Sequence, residues 1–142
     1  MNNDIGKIRV GVGIMIFKDG KVLMGRRKGS HGAGEYAFPG GHLDYMESFE
    51  DCAKRETLEE AGIQIKNIKF LAVENVTAYQ PHHYVNIELT ADWESGEPTV
   101  CEPEKRENWE WCDIDNIPPP VFSFCVHAIE SYKTGKNYHD KK

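Results

Sequence analysis

One segment limits what this chain can become: residues 48–61 read as a helix from both end signals and interior. Ser48 with Asp51 three residues on is a capping-box variant, in which a short side chain satisfies an orphan backbone N–H. Gly62 followed by the β-branched Ile63 supplies the stop. At about 100° per residue, Phe49, Cys52 and Ala53 fall on one stripe, and Glu56 and Glu60 share it. Glu59 lies at its edge, so three carboxylates crowd one arc at i, i+3 and i+4. Like charges that close repel, and a purely structural helix gains nothing from them. A bound divalent cation turns the repulsion into coordination.

Strand signals surround this helix. Residues 10–17 form an apolar run broken by glycines, Lys18-Asp19-Gly20-Lys21 supplies Asp-Gly turn chemistry, and Val22-Leu23-Met24 runs back. Residues 25–34 switch to Arg26, Arg27 and Lys28 among Gly29, Ser30, His31, Gly32 and Gly34, a mobile basic loop suited to an anionic ligand. After Tyr36-Ala37-Phe38, the run Pro39-Gly40-Gly41 marks a sharp bend or a close approach. Residues 63–79 and 83–93 read as strands joined around Gln80-Pro81, the second alternating Tyr84, Asn86 and Glu88 against Val85, Ile87 and Leu89. Trp109 and Trp111 share one face of a short strand, residues 114–117 lead into three prolines, and residues 121–132 carry a helical period that Gly135 ends. The tail, residues 136–142, is expected to fray.

Composition narrows the functional classes. At 142 residues the chain is read as one domain, residues 1–142 with a core over about 8–134. Seventeen Lys and Arg against 23 Asp and Glu give a net charge of −6, which disfavours a nucleic-acid polymer as partner. No stretch approaches the roughly 20 apolar residues of a membrane span, and the first seven residues lack the basic and apolar regions of a secretory signal, so a cytoplasmic location is expected. Cys52, Cys101, Cys112 and Cys125 contain no C-x-x-C pair, which argues for plain reduced thiols.

Gly41, five residues, Glu47, seven residues, then Arg55-Glu56-Thr57-Leu58-Glu59-Glu60-Ala61-Gly62-Ile63 resembles the Nudix box, G-x5-E-x7-R-E-U-x-E-E-x-G-U, where U is bulky and apolar. Thr57 at the first U position is the single departure, and it bears on local packing alone. Gly25-Arg26-Arg27-Lys28, Phe38-Pro39-Gly40-Gly41-His42-Leu43, Glu102-Pro103-Glu104-Lys105 and Trp109-Glu110-Trp111 are further similar to the MutT-type branch. The resemblance implies an α+β fold, an α/β/α sandwich around a mixed β-sheet, and hydrolysis of a nucleoside diphosphate linked to another moiety.

By that resemblance, Glu56 and Glu60 are the main ligands of Mg²⁺ or Mn²⁺, Glu59 is a further ligand, and the carbonyl of Gly40 or Gly41 fills another position. Arg55 orients the carboxylates, and Glu47 holds the loop from Gly41 against the helix. The general base stays open among Glu59, Glu104 and Glu107. Arg27, ahead of Arg26, is expected on phosphate oxygens, with His42, Phe38, Trp109, Phe122 and Phe124 as candidates around the substrate. The implied activity is cleavage of (d)NTPs, including oxidised purine nucleotides such as 8-oxo-dGTP, to NMP and pyrophosphate. ADP-ribose, a dinucleoside polyphosphate or dihydroneopterin triphosphate would use the same helix, and a sensing module that does not cut is the remaining alternative. Look-alikes in this branch often pair, which leaves a homodimer open.

Overall fold

The computed structural model describes residues 6–29 and 32–140; the expectations placed on Ser30, His31 and the two ends lie outside these. In chain order the elements are β1 (Ile8–Lys18), β2 (Lys21–Arg26), β3 (Tyr36–Ala37), β4 (Gly40–His42), α1 (Phe49–Ala61), β5 (Gln64–Val76), β6 (His83–Ser95), β7 (Glu110–Asp113), α2 (Ser123–Thr134) and β8 (Tyr138–Asp140). Asp19 and Gly20 take left-handed backbone at φ 52 and 79, the conformation a two-residue hairpin turn requires, and Lys18 pairs with Lys21 across it. The sheet runs β3-β2-β1-β6-β5-β8, with β4 on β1 and β7 on β2. Pairs β1–β6 and β5–β8 are parallel and the others antiparallel, so the sheet is mixed, as expected.

Alternation along β1 divides the interior into two layers. Val12, Ile14 and Ile16 pack with Cys52, Ala53 and Ala61 of α1, whereas Met15 packs with Cys125 and Ala128 of α2. A helix therefore covers each face of the sheet. Among the described residues, no helix is long and apolar enough to cross a membrane.

Several boundaries differ from the sequence expectation. Phe49 is exposed instead of joining the apolar stripe, because the buried face of α1 is Cys52, Ala53, Thr57, Glu60 and Ala61. The strand expected over residues 63–79 stops at Val76, and α2 spans Ser123–Thr134. The basic loop is pinned at its stem: the Arg27 N–H donates to the Glu35 carbonyl and the Lys28 N–H to the Lys105 carbonyl. The tail does not fray at residues 138–140. There it forms β8 along β5, and His139 is buried with its Nε2 at 2.7 Å from the Ser131 hydroxyl, which itself donates to the His127 carbonyl.

Candidate active site

The start of α1 is built as expected: the Ser48 hydroxyl accepts the Asp51 N–H at 3.0 Å, and Gly62 closes the helix in the left-handed region. One turn on, Arg55 gathers the acids. Its Nε donates to Glu47 Oε2 at 2.7 Å, its Nη2 to Glu47 Oε1 at 2.9 Å, and its Nη1 to Glu56 Oε1 at 2.8 Å. The same guanidinium reaches Glu59 at 3.3 Å and the His42 carbonyl at 3.1 Å. Glu47 also accepts the Asp44 N–H, and the Arg55 fork holds its carboxyl down to about 2. These bonds fasten the loop after β4 to the helix.

Glu56 and Glu60 lie one turn apart beside β4, and an added Cβ on Gly41 would run into the Glu56 carboxylate. Burial raises the Glu56 carboxyl despite Arg55, and burial raises Glu60 to about 7 despite Arg106. Glu60 Oε2 accepts the Gly40 N–H at 2.9 Å, and its Oε1 lies 3.4 Å from Arg106 Nη2. Glu59 lies apart from these two. It is exposed and drawn out by Arg55, so among the described residues no three acidic, histidine or cysteine side chains converge as a metal cage.

These acids border a cavity of about 630 Å³ that opens across the β4 edge of the sheet onto its α2 face. Arg27, Lys28, Lys105 and Glu104 line it, together with His42, Phe38, Phe122 and Phe124. Arg27 stacks its guanidinium 4.3 Å over the Phe122 ring, and the Phe122 and Phe124 centroids are 4.9 Å apart. Arg26, Glu107 and Trp109 fall outside the lining, as do Glu47, Arg55 and Glu59. Arg26 turns to Glu107 at 3.6 Å, which occupies both residues. Trp109 packs under Arg106 at 4.6 Å and donates its indole N–H to the Glu60 carbonyl, which makes it a support for α1.

Sequence reasoning missed Arg106. It is 3% exposed and donates to the carbonyls of Gly25, Ala37 and Phe38 at 3.0, 2.8 and 2.7 Å. A charged run around it disguises the burial. Alternation along β6 puts Tyr84, Asn86 and Glu88 on one side, and there Asn86 and Glu88 are 4% and 3% exposed and line the cavity floor. The signal lay in β1, where Gly11 and Gly13 leave the space that these two side chains fill.

A model of the NUDIX domain matches residues 7–129. The chain is 34% identical over 111 residues to an oxidized purine nucleoside triphosphate hydrolase from Danio rerio, covering 74% of this chain and 66% of the relative. It is 31% identical over 129 residues to an ADP-ribose pyrophosphatase from Methanocaldococcus jannaschii, covering 90% of this chain and 75% of the relative. An NAD-capped RNA hydrolase from Pseudomonas syringae is 29% identical, and the chain spans 42% of its length. Among solved structures, a MutT NUDIX hydrolase from Burkholderia pseudomallei superposes with a TM-score of 0.83 at 35% identity, over 88% of this chain and 98% of that one.

Proposed function

Because the chain belongs to the NUDIX family, we propose that it is a metal-dependent nucleotide pyrophosphohydrolase, cleaving (d)NTPs, with oxidised purines such as 8-oxo-dGTP among them, to NMP and pyrophosphate. One observation carries this reading. A single cavity holds the Glu56 and Glu60 carboxylates, the cations Arg27, Lys28 and Lys105, and an aromatic wall of Phe122 and Phe124. That set matches, end to end, the needs of a polyphosphate joined to a flat ring.

The donor set fits a hard divalent cation. Glu56 and Glu60 offer oxygens only, Glu60 against the Gly40 N–H and Glu56 over Gly41, and a cation offsets the repulsion of two carboxylates crowded one helical turn apart. Mg²⁺ or Mn²⁺ held there would supply charge neutralisation and a water acidic enough to ionise near neutral pH. The chain's own residues do the positioning. Arg55 aims Glu56 while Glu47 fixes Arg55. Arg27, Lys28 and Lys105 offer N–H donors to phosphate oxygens. Glu104 lines the cavity, which favours it as the proton acceptor over Glu107 on Arg26 and Glu59 on Arg55. The four cysteines carry free thiols, in keeping with a cytoplasmic enzyme.

A panel of dGTP, 8-oxo-dGTP, GTP, CTP and ADP-ribose, with products separated by anion-exchange chromatography, tests the reading. Triphosphates should yield pyrophosphate and be turned over faster than ADP-ribose, activity should vanish in excess EDTA, and Mg²⁺ should restore it. Orthophosphate from GTP, or full turnover in EDTA, overturns it. A preference for ADP-ribose favours the second reading, which the relative named ADP-ribose pyrophosphatase supports.

A further inference from the structure

Two buried glutamates lie outside the acid helix, on the α2 face of the sheet. Glu74 belongs to β5 and Glu88 to β6, and Glu88 lines the cavity while resting over Gly13 of β1. The strand register pairs Glu88 with Ala72 and Glu74 with Asn86, so the two acids sit diagonally on one face, and Glu88 meets the Glu74 carboxyl. Two carboxylates in contact away from water repel, and such a pair is stable only with a proton between its members. Burial, then the Glu74 charge, accordingly raises the Glu88 carboxyl well above its ordinary value.

Helix α2 decides which of the two carries that proton. His127 Nδ1 lies 2.6 Å from Glu74 Oε1, the distance of a ring N–H donating to a carboxylate. The ring is fixed from its other side by β8. There His139, beside Glu74 in the strand register, stacks on His127 with centroids 5.2 Å apart and planes inclined by 18°. The Ser131 hydroxyl gives its single proton to the His127 carbonyl, so at 2.7 Å it accepts the N–H of His139 Nε2. His127 keeps an edge toward solvent, while Glu74 lies buried between Asn86 and His139. Cys125 is the further titratable group that α2 turns toward Glu88, and burial pushes its thiol up to about 12, so it stays neutral. From β1 the floor receives Gly11 and Gly13, which carry no charge.

We propose that His127 is a positioning residue of the cavity: its Nδ1–H holds Glu74 as the carboxylate, assigns the shared proton to Glu88, and so keeps the cavity floor uncharged beneath an anionic ligand. His127 is not part of the cavity lining and acts through Glu74. The cations Arg27, Lys28 and Lys105 are thereby left to the ligand and are not drawn toward a carboxylate at Glu88. The inference rests on the nucleotide reading above for the charge of the ligand alone.

NMR of the full chain in Mg²⁺ buffer at pH 7, with glutamate labelled by ¹³C at the carboxyl carbon, reads the proton directly, because acid and carboxylate carbons resonate apart. Glu88, identified by its loss in Glu88→Gln, should appear as the acid, and Glu74, identified in Glu74→Gln, as the carboxylate. His127→Gln keeps an N–H donor and should keep that assignment. His127→Leu has none, and Glu74 should then hold a proton to a pH at least about one unit higher than in the parent. A histidine that only fills space would move neither carboxyl. Stability gives a second readout, since an acid raised by burial favours the fold most below its ordinary range and the gain fades as pH rises. The thermal midpoint of His127→Leu should therefore fall further behind the parent at pH 8 than at pH 5.5, and that of His127→Gln should keep a constant distance. GMP and guanosine, one ring with and without a phosphate, test the charge beneath the ligand by calorimetry. The ratio of their affinities should stay within about fivefold of the parent in Glu88→Gln, where one neutral group replaces another. Glu88 ionised in the parent, an unmoved Glu74 carboxyl or a pH-independent stability loss in His127→Leu, or a larger rise in the ratio overturns the proposal. If neither ligand binds, the nucleotide reading fails, and the carboxyl carbons and the midpoints still decide where the proton sits.

Discussion

Glu60→Gln should remove at least ~1000-fold of turnover, about 4 kcal/mol of barrier, while making the metal-free protein more stable near pH 8. Its amide has nearly the shape of the carboxyl but is a poor ligand for a hard cation. The stability effect follows from burial, which lifts the carboxyl from 4.5 to about 7. A raised acid favours the protonated fold, so stability is fullest below pH 4.5 and falls as pH rises through 7. A shift of that size is worth at most about 3 kcal/mol, and Arg106 nearby reduces it. Thermal midpoints recorded from pH 4 to 8 should therefore decline less in the variant than in the parent. Activity within tenfold of the parent would sink the metal assignment, and parallel pH curves would sink the account of Glu60.

Arg106→Met should be the most destabilising single change in the site, about 3–5 kcal/mol, because three buried carbonyls lose their donor at once and each unmade bond costs about 1–3 kcal/mol. Burial lowers the guanidinium's basicity even with Glu60 close by, and burial raises Glu60 even with Arg106 close by. Each partner's loss of water thus outweighs the attraction, and the residue is held chiefly by the carbonyls. Arg106→Lys should rescue little, since an ammonium on a flexible stem cannot span Gly25 on one side and Ala37 and Phe38 on the other. Urea unfolding of both variants measures this. A loss under about 1 kcal/mol for Met, or full rescue by Lys, would contradict it.

The acid helix and its anchor were legible because their information is local. The spacing of Glu47, Arg55, Glu56 and Glu60 follows the pitch of one helix and one preceding loop, and Ser48 and Gly62 mark its ends. Face assignments were less legible. Periodicity shows that Tyr84, Asn86 and Glu88 share a side of β6, but only the packing of α2 shows that this side is covered. Phe49 failed for the converse reason, since a stripe on a wheel does not say where the sheet ends. Arg106 and His139 are buried by partners distant in sequence, and β8 exists because β5 presents an open edge.

The division of β1 into opposite-facing sets also bears on how such a molecule changes over generations. Residues that hold the acidic helix in place answer to one side of the strand, and residues that floor the cavity answer to the other. A duplicated gene can therefore accumulate replacements at Tyr84, Asn86, Glu88, Phe122 and Phe124 and acquire a new taste in ligands while inheriting its cutting apparatus intact. Drift on the α1 side has no such freedom, because there one altered side chain disturbs packing and chemistry together.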